Sequence, residues 1–242
     1  MLEIRHPRIT NSDASQTAYN DIYKDKGILL RDSFYLWIIH LLNAEPHKIL
    51  MDISCGEGRL PLLAQRMGLN AIGVDFAEEG IRKGQISSKN IEWVVGDGER
   101  LPFSDSIADY ITHIGSLEHY ISPGQGAREI ARILRPSGRA CILLPNAFGL
   151  LGNIRKVWIT GEIHDDGQPL QRYGTRRTWE RMLIDAGLRI ENTLGYGEVE
   201  FPRTRQDVVW YLKRPIKIIR FVVTKFIPLN LINQIVYICS KV

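Results

Sequence analysis

The sequence predicts an α/β fold in which a seven-stranded, mostly parallel sheet lies between two layers of helices. Strand-like apolar runs alternate with helix-like stretches over most of the chain. Such alternation is typical of a parallel sheet that is covered on both faces. The composition supports a fold of this size, because 44% of the 242 residues are hydrophobic and can bury a sizeable core.

The predicted strands are short apolar runs, which we place at residues 49–53, 71–75, 91–95, 108–114, 139–145, 188–199 and 234–240. Helices are predicted where apolar residues recur at helical spacing, as they do at Leu60, Leu63, Ala64 and Met67. Thr175 is expected to cap a later helix that Gly187 ends. These elements divide the chain into an N-terminal helical cap (1–48), a core domain (49–199), a basic amphipathic insertion (200–233) and a final sheet strand (234–242).

Cysteine spacing and hydropathy indicate in which cellular compartment the protein is expected. Cys55, Cys141 and Cys239 are far apart and odd in number, so we expect neither a disulfide framework nor a metal site. No apolar core of a signal peptide stands in residues 1–7, and no uncharged apolar run reaches the roughly 18 residues of a membrane span. We therefore expect a cytoplasmic protein.

The segment DISCGEGRL, residues 52–60, follows the first predicted strand of the core domain. In an open α/β sheet this first strand-to-helix turn is the usual position for a nucleotide, and glycines let a ligand approach the main chain. The dinucleotide pattern G-x-G-x-x-G is incomplete here, because Pro61 stands where its third glycine would be. Asp52 and Glu57 flank the turn, which favours a cationic ligand over a pyrophosphate.

Two more acids stand at the ends of the next two strands. Asp75 ends the second strand of the core domain, where a carboxylate can accept hydrogen bonds from both hydroxyls of a ribose. Asp97 follows the third strand. Together with Asp52, these residues predict a pocket for an adenosine that carries a positively charged tail.

Residues 49–145 resemble the class I S-adenosylmethionine-dependent methyltransferases, of the type that includes ubiquinone- and menaquinone-biosynthesis methyltransferases, and this family has a Rossmann-like sheet. The resemblance rests on the segments ILMDISCGEGRL, AIGVDFAEEGI, VVGDGERLPFSD, IADYITHIGSLEHY and EIARILRPSGRACILLPN. A later segment, YGTRRTWERMLIDAGL, resembles a helix of the same family. The resemblance implies that S-adenosylmethionine is the cofactor.

The resemblance also implies roles for individual residues. Those expected around the methionine part of the cofactor are Asp52, Ser54, Gly56 and Gly58. Those expected around the adenosine are Asp75 at the ribose, Phe76 at the adenine, and Asp97 with Gly98 at the adenine amino group. Those expected near the sulfonium are Gly115, Ser116 and Leu117. Apart from the resemblance, Tyr19 either closes over the cofactor carboxylate or packs on the N-terminal helix.

Ser54 departs from the family pattern, because the family usually has glycine at that position. A positive φ at a serine would cost about 1 kcal/mol. We therefore expect Ser54 to adopt an ordinary backbone conformation and Gly56 to make the close approach to the ligand.

His119 is the candidate catalytic residue, because it follows the fourth strand of the core domain and histidine titrates near neutral pH. As a general base it would favour methylation of a hydroxyl over that of nitrogen or carbon. The alternative is that His119 only orients its loop by a hydrogen bond. Two other functions stay open for the chain: a non-catalytic module that retains the cofactor fold and, less favoured, a nicotinamide-dependent oxidoreductase.

The insertion carries most of the excess positive charge, with seven basic residues and one acid between residues 203 and 225. Large apolar residues alternate with the basic ones, so the segment either packs on the core or a second subunit, which we favour, or lies on an anionic membrane surface. The acceptor is then expected to be a small hydrophobic or lipid-linked molecule. Nucleic acid is not an expected partner, and the chain is expected to be a monomer or a homodimer.

Overall fold

The computed structural model describes residues 1–7, 9, 11–25 and 27–242. The strands are β1 (Leu2–Arg5), β2 (Ile49–Ile53), β3 (Asn70–Asp75), β4 (Glu92–Val95), β5 (Ala108–Ile114), β6 (Leu134–Pro145), β7 (Leu170–Tyr173), β8 (Leu188–Tyr196) and β9 (Gln234–Lys241). The helices are α1 (Ser12–Asp25), α2 (Asp32–Leu41), α3 (Arg59–Arg66), α4 (Glu78–Ser87), α5 (Pro123–Ile133), α6 (Arg155–Thr160), α7 (Arg176–Asp185), α8 (Arg205–Leu212) and α9 (Pro215–Val223).

The main sheet has seven strands in the order β4-β3-β2-β5-β6-β9-β8. Neighbouring strands from β4 to β6 are parallel, and β9 runs antiparallel to both β6 and β8. The predicted α/β fold with a mostly parallel, Rossmann-like sheet is confirmed. The strand order reverses between β2 and β5, which is where such sheets place their ligands.

Two layers of helices bury the two faces of the sheet. On one face, Ile130 of α5 and Trp179 of α7 pack against residues of the central strands. On the other face, Ile38 of α2 and Leu63 of α3 do the same. The strands between these layers read as nearly continuous apolar runs, as expected for strands that are buried on both sides.

Local signals in the sequence set the ends of α7. The hydroxyl of Thr175 accepts a hydrogen bond from the Thr178 main-chain NH at 3.2 Å, and Gly187 follows the helix with a φ of +91°. The predicted start and end of this helix are therefore confirmed.

A second, two-stranded sheet was not anticipated from the sequence. In it β1 pairs antiparallel with β7, so the N-terminal segment, expected to be helical, also contains a strand. The four residues of β1 are mostly exposed, whereas all four residues of β7 are buried.

The insertion contains α8 and α9. A reciprocal pair of hydrogen bonds between Thr204 and Asp207 caps α8. No residue of α9 is buried, and the exposed fractions of Ile216 and Ile219 are 68% and 57%. Most apolar side chains of α9 are therefore not covered by the core, although Phe221 is half-buried. Packing of the segment on a second subunit stays a prediction.

The insertion lies at the carboxyl ends of the parallel strands. It connects β8 to β9, and the Tyr196–Gln234 pair that joins those strands lies beside the Pro145–Gln234 pair at the end of β6. In the described part of the chain, no helix is both long and apolar enough to cross a membrane.

Candidate functional site

A deep pocket opens at the carboxyl ends of the central strands and encloses about 1040 Å³, counting the solvent at its mouth. Its wall includes eleven of the thirteen residues that the sequence singled out: Tyr19, Asp52, Ser54, Gly56, Asp75, Phe76, Asp97, Gly98, Gly115, Ser116 and His119. The two that lie outside this wall are Gly58 and Leu117.

The turn after β2 is left-handed at three residues, Ser54, Gly56 and Gly58. Ser54 has a φ of +60° and Gly56 a φ of +54°, so our expectation of an ordinary conformation at Ser54 is wrong. A hydrogen bond of 2.8 Å between Ser54 Oγ and Tyr120 Oη accompanies this conformation. It offsets a backbone strain of about 1 kcal/mol, which glycine would not have.

The two glycines of the turn make room for protein side chains as well as for a ligand. A Cβ on Gly56 would lie 2.6 Å from the Tyr23 hydroxyl, so this glycine lets α1 close over the turn. A Cβ on Gly58 would lie 2.0 Å from the Trp93 ring. Gly58 therefore serves the packing of α3 against β4, which explains its position outside the pocket.

Asp75 holds the turn in place from the neighbouring strand. Its Oδ2 accepts a hydrogen bond from the Gly56 main-chain NH, and its Oδ1 accepts one from the Ala77 main-chain NH, both at 2.8 Å. Each carboxylate oxygen retains a lone pair for a further donor. Burial raises the pKa of Asp75 to about 6.

Asp52 lies beside Asp75 at the end of β2. Its Oδ1 accepts a hydrogen bond of 2.6 Å from the hydroxyl of Thr112 on β5. Burial, reinforced by the charge of Asp75, raises the pKa of Asp52 to about 7. A cation in the pocket would stabilise the ionised form of both carboxylates.

The far end of the pocket is formed by the loops after β3 and β4. The Phe76 ring lies 5.4 Å from the Tyr19 ring, measured between centroids. Asp97 is exposed, and its Oδ1 accepts a hydrogen bond of 2.9 Å from the Glu99 main-chain NH. Gly98 is buried against Tyr120, which leaves no room for a side chain.

The turn after β5 forms the floor of the pocket. Gly115 has a φ of +62°, and both it and Ser116 are half-buried in the wall. Leu117 is fully buried in the core behind this turn. It anchors the turn and does not face the pocket.

His119 has a fixed tautomer. Its Nδ1 lies within hydrogen-bond distance of the Leu170 carbonyl oxygen, which can only accept, so Nδ1 carries the proton and Nε2 keeps a lone pair. Burial lowers the pKa of His119 below its usual value, which keeps the ring neutral. A neutral imidazole with a free Nε2 is the state that a general base requires.

The small β1–β7 sheet holds the turn that carries His119. Arg172 of β7 donates hydrogen bonds to the main-chain carbonyls of Glu118, Tyr120 and Ile121. The same guanidinium binds the carboxylate of Glu3 on β1 at 2.7 Å. The sheet that the sequence did not reveal is therefore part of the support of the candidate base.

A third buried acid, Glu118, lies next to His119. The Glu118 Oε1 is 3.8 Å from the His119 Nε2, and the Glu118 Oε2 has no hydrogen-bond partner among the described residues. Burial raises the pKa of Glu118 to about 8. This side chain is therefore largely protonated at neutral pH.

The N-terminal helix and the segment after it cover the pocket. Tyr19 of α1 donates a hydrogen bond of 2.9 Å to the Gln168 Oε1, which also lies in the wall. Ile28, Leu30 and Tyr35 add apolar surface to the same cover. Sequence analysis missed all of these residues except Tyr19, because their role depends on tertiary packing.

Tyr120 is another residue of the wall that the sequence did not single out. Its hydroxyl hydrogen bonds to the Ser54 hydroxyl and lies 3.0 Å from the His113 Nε2. Burial lowers the pKa of His113 to about 3, so this histidine is neutral. The network ties the turns after β2 and β5 together beneath the pocket.

The pocket has an acidic lining. The carboxylates of Asp52, Asp75, Asp97 and Glu99 contribute to it. Among the residues that the structure describes, neither lysine nor arginine lies in the wall. Such a lining attracts a cation and opposes a pyrophosphate, which needs cationic or main-chain donors.

Comparisons with known proteins agree with this geometry. Residues 51–142 match a family model described as a methyltransferase domain. Over 101 residues the chain is 31% identical to a demethylmenaquinone methyltransferase of Corynebacterium kroppenstedtii. That match covers 42% of this chain and 43% of the relative, so it spans less than half of the relative's length.

Solved structures show the same fold at low identity. An S-adenosylmethionine-dependent methyltransferase of Mesorhizobium loti matches with a TM-score of 0.64 and 13% identity, over 86% of this chain and 98% of the other. The 1,6-didemethyltoxoflavin-N1-methyltransferase of Burkholderia thailandensis, solved with S-adenosylhomocysteine, matches with a TM-score of 0.56 and 16% identity, over 93% and 84%. Residues 51–142 therefore form a methyltransferase domain, and the chain has the fold of the S-adenosylmethionine-dependent methyltransferases.

Proposed function

We propose that this chain transfers a methyl group from S-adenosylmethionine to a hydroxyl group of a small, apolar acceptor. The observation that carries the proposal is the acidic lining of a pocket that also contains His119 with a free Nε2. The cofactor supplies an activated methyl group on a cationic sulfur, so its binding requires anionic groups rather than basic ones.

Eight residues of the pocket wall have a role in binding the cofactor in this proposal. Asp75 accepts hydrogen bonds from the ribose hydroxyls, and Phe76 packs on the adenine. Asp52, Ser54, Gly56, Gly115 and Ser116 surround the amino-acid part, and Tyr19 closes over it. The dense hydrogen bonding of Asp75 to the turn supports this arrangement, because it fixes the carboxylate before the ligand arrives.

The acceptor side of the pocket supports an apolar substrate. Ile28, Leu30, Ile114 and Ile121 lie in the wall together with Tyr35. The curated relative acts on demethylmenaquinone according to its name, and a quinone- or phenol-type ring suits these walls. The His119 Nε2 then takes the proton of the acceptor hydroxyl, while the Nδ1 proton stays on Nδ1 and is donated in the hydrogen bond to the Leu170 carbonyl oxygen.

Two other functions are less well supported. A nicotinamide dinucleotide would bring a pyrophosphate to a wall with four carboxylates. A non-catalytic module would not need a buried, neutral histidine whose tautomer is fixed at the site of the acceptor.

The test is a methyl-transfer assay with S-adenosylmethionine that carries a labelled methyl group, run on a panel of phenols, hydroquinones, amines and carbon nucleophiles. We expect the label to appear on the oxygen of an apolar phenol or hydroquinone. Transfer only to nitrogen or carbon would overturn the choice of acceptor atom. Cofactor binding without transfer to any compound would favour the non-catalytic module.

We further propose that the insertion lies on an anionic membrane surface and brings the pocket close to a membrane-dissolved acceptor. The exposed apolar side chains of α9 and the basic residues between 203 and 225 support this. Flotation with liposomes of anionic and of neutral lipid tests it, and we expect salt-sensitive binding to the anionic liposomes alone. Absence of flotation together with a concentration-dependent dimer would assign the surface to a second copy of the chain.

A further inference from the structure

A second cavity lies between the insertion and the edge of the main sheet. It encloses about 860 Å³, counting solvent at its mouth. Its wall shares no residue with the wall of the first pocket. Strand β8 provides its floor with Gly195 and Tyr196, and the insertion provides much of its outer side.

Large apolar groups dominate the wall. They are Trp37 from α2, Tyr196 at the end of the edge strand β8, Ile232 just before β9, and Phe201 and Phe221 from the insertion. The Trp37 and Tyr196 rings lie 5.2 Å apart, and the Phe201 and Phe221 rings lie 6.5 Å apart. A cavity between such rings fits an extended hydrocarbon chain.

Two cations lie at this cavity. Arg203 and Lys225 are both exposed, and within the described ranges neither side chain belongs to an ion pair. The Lys225 Nζ lies 4.5 Å from the centroid of the Phe221 ring, where the apolar wall ends. An anionic group beside these side chains would therefore gain two charge-assisted contacts.

The one carboxylate in the wall does not oppose such a ligand. Glu200 binds the Arg31 guanidinium at 2.5 Å, and its oxygens accept hydrogen bonds from the Ser33 and Tyr196 hydroxyls at 2.6 and 2.9 Å. The positive charge of Arg31 neutralises the Glu200 carboxylate, so this carboxylate does not repel an anionic ligand in the cavity.

We propose that this cavity binds a single-chain anionic amphiphile, with the hydrocarbon chain between the aromatic rings and the anionic head at Arg203 and Lys225. The head group is a carboxylate or a phosphate, and the shared chemistry is one apolar chain with one anionic end. The site is separate from the cofactor pocket and does not depend on the proposed methyl transfer.

The probe is 12-bromododecanoate, used below its critical micelle concentration, because bromine quenches the fluorescence of a nearby tryptophan. We expect saturable quenching in the wild type that is lost in Trp37→Phe. The double variant Arg203→Gln/Lys225→Gln is expected to weaken binding of 12-bromododecanoate roughly three- to tenfold, as two exposed charge contacts would. The neutral 12-bromododecanol should bind that variant as it binds the wild type.

Lys213→Gln is the matched control, because Lys213 is a basic residue of the insertion outside the cavity wall. It should bind both probes as the wild type does. Dodecyl phosphate, used as a competitor, distinguishes a phosphate head from a carboxylate head. Circular dichroism and S-adenosylmethionine affinity show that each variant is folded and that the first pocket is intact.

Non-saturating quenching would overturn the proposal, as would equal quenching in Trp37→Phe. Equal affinity of the double variant and the wild type for 12-bromododecanoate would overturn the placement of the head group. A failure of methyl transfer in the assay described above leaves the quenching measurements unaffected, because the 12-bromododecanoate titrations use no cofactor.

Discussion

The Nδ1 atom of His119 lies against the main-chain carbonyl of Leu170, and this contact fixes which ring nitrogen carries the proton. The carbonyl belongs to β7, and Arg172 of the same strand donates hydrogen bonds to main-chain carbonyls of the turn that carries His119. Sheet β1–β7 therefore fixes both the tautomer of His119 and the position of its turn.

Replacing His119 with alanine should lower turnover by about a hundredfold or more, which is typical of the loss of a general base. Cofactor affinity should change little, because the turn is held by Arg172. Burial lowers the pKa of His119, so wild-type turnover should be constant near pH 7 and fall only well below pH 6.5. Equal turnover in the alanine variant would leave His119 with an orienting role alone.

Two variants of Ser54 isolate the strain in the glycine-rich turn. Both Ser54→Gly and Ser54→Ala remove the hydrogen bond to Tyr120, but only glycine relieves the positive φ of this residue. Ser54→Gly should therefore be more stable than Ser54→Ala by about 1 kcal/mol in urea unfolding. Equal stability of the two variants would show that the turn is not left-handed in solution.

Glu118→Gln should flatten the pH dependence of stability. The pKa of Glu118 is about 8 in the folded protein, against an ordinary value of 4.5. The native state therefore keeps a proton that the unfolded state loses, so stability falls as pH rises from about 4.5 to 8. Each unit of pKa difference corresponds to about 1.4 kcal/mol.

Urea unfolding at pH 5, 7 and 9 measures this effect. The gain in stability of Glu118→Gln over the wild type should grow from pH 5 to pH 9. The exposed Glu92→Gln serves as control and should show a constant difference. A constant difference for Glu118→Gln as well would mean that Glu118 is hydrated.

Arg31 links the cover of the cofactor pocket to the insertion. Its guanidinium binds Glu200 at 2.5 Å and lies 3.8 Å from the centroid of the Trp210 ring, while Leu30 beside it lines the pocket. Arg31→Ala leaves the buried Glu200 carboxylate unpaired, so it should lower the free energy of unfolding by about 3 kcal/mol. It should also weaken cofactor binding, because the cover loses its attachment.

Adding Glu200→Gln to Arg31→Ala should restore part of that stability, since the unpaired charge is removed. Arg205→Ala, an exposed change in the same insertion, should stay within about 0.5 kcal/mol of the wild type. Unchanged cofactor affinity in Arg31→Ala would show that the insertion and the pocket cover are independent.

The sequence predicted the parallel part of the sheet well, because strands buried on both faces leave continuous apolar runs. The bounds of β2 and β5 agree with the predicted ones residue for residue. It did not reveal the β1–β7 pairing, since those segments are short and far apart in the chain. Pairing of that kind depends on tertiary contacts and has no local periodicity.

Individual site residues also differ in whether a local sequence signal or a tertiary contact determines their role. Asp75 could be found from its place at the end of a strand, because parallel strands bring their ends to one edge. The left-handed Ser54 could not, since it depends on Tyr120, a partner from a different turn. Gly58 was assigned to the ligand, but its space is filled by Trp93, which the sequence places on another strand.

Calorimetric titration with S-adenosylmethionine and S-adenosylhomocysteine tests the central claim, the acidic cofactor pocket, most directly. Asp52 and Asp75 have pKa values of about 7 and 6. The affinity for the cationic cofactor should therefore rise more steeply between pH 5.5 and 8 than that for its product, which lacks the sulfonium charge. Asp75→Asn should weaken S-adenosylmethionine binding at least about tenfold, as loss of a charge-assisted contact does. The absence of binding heat with both compounds on folded wild-type protein would contradict the account.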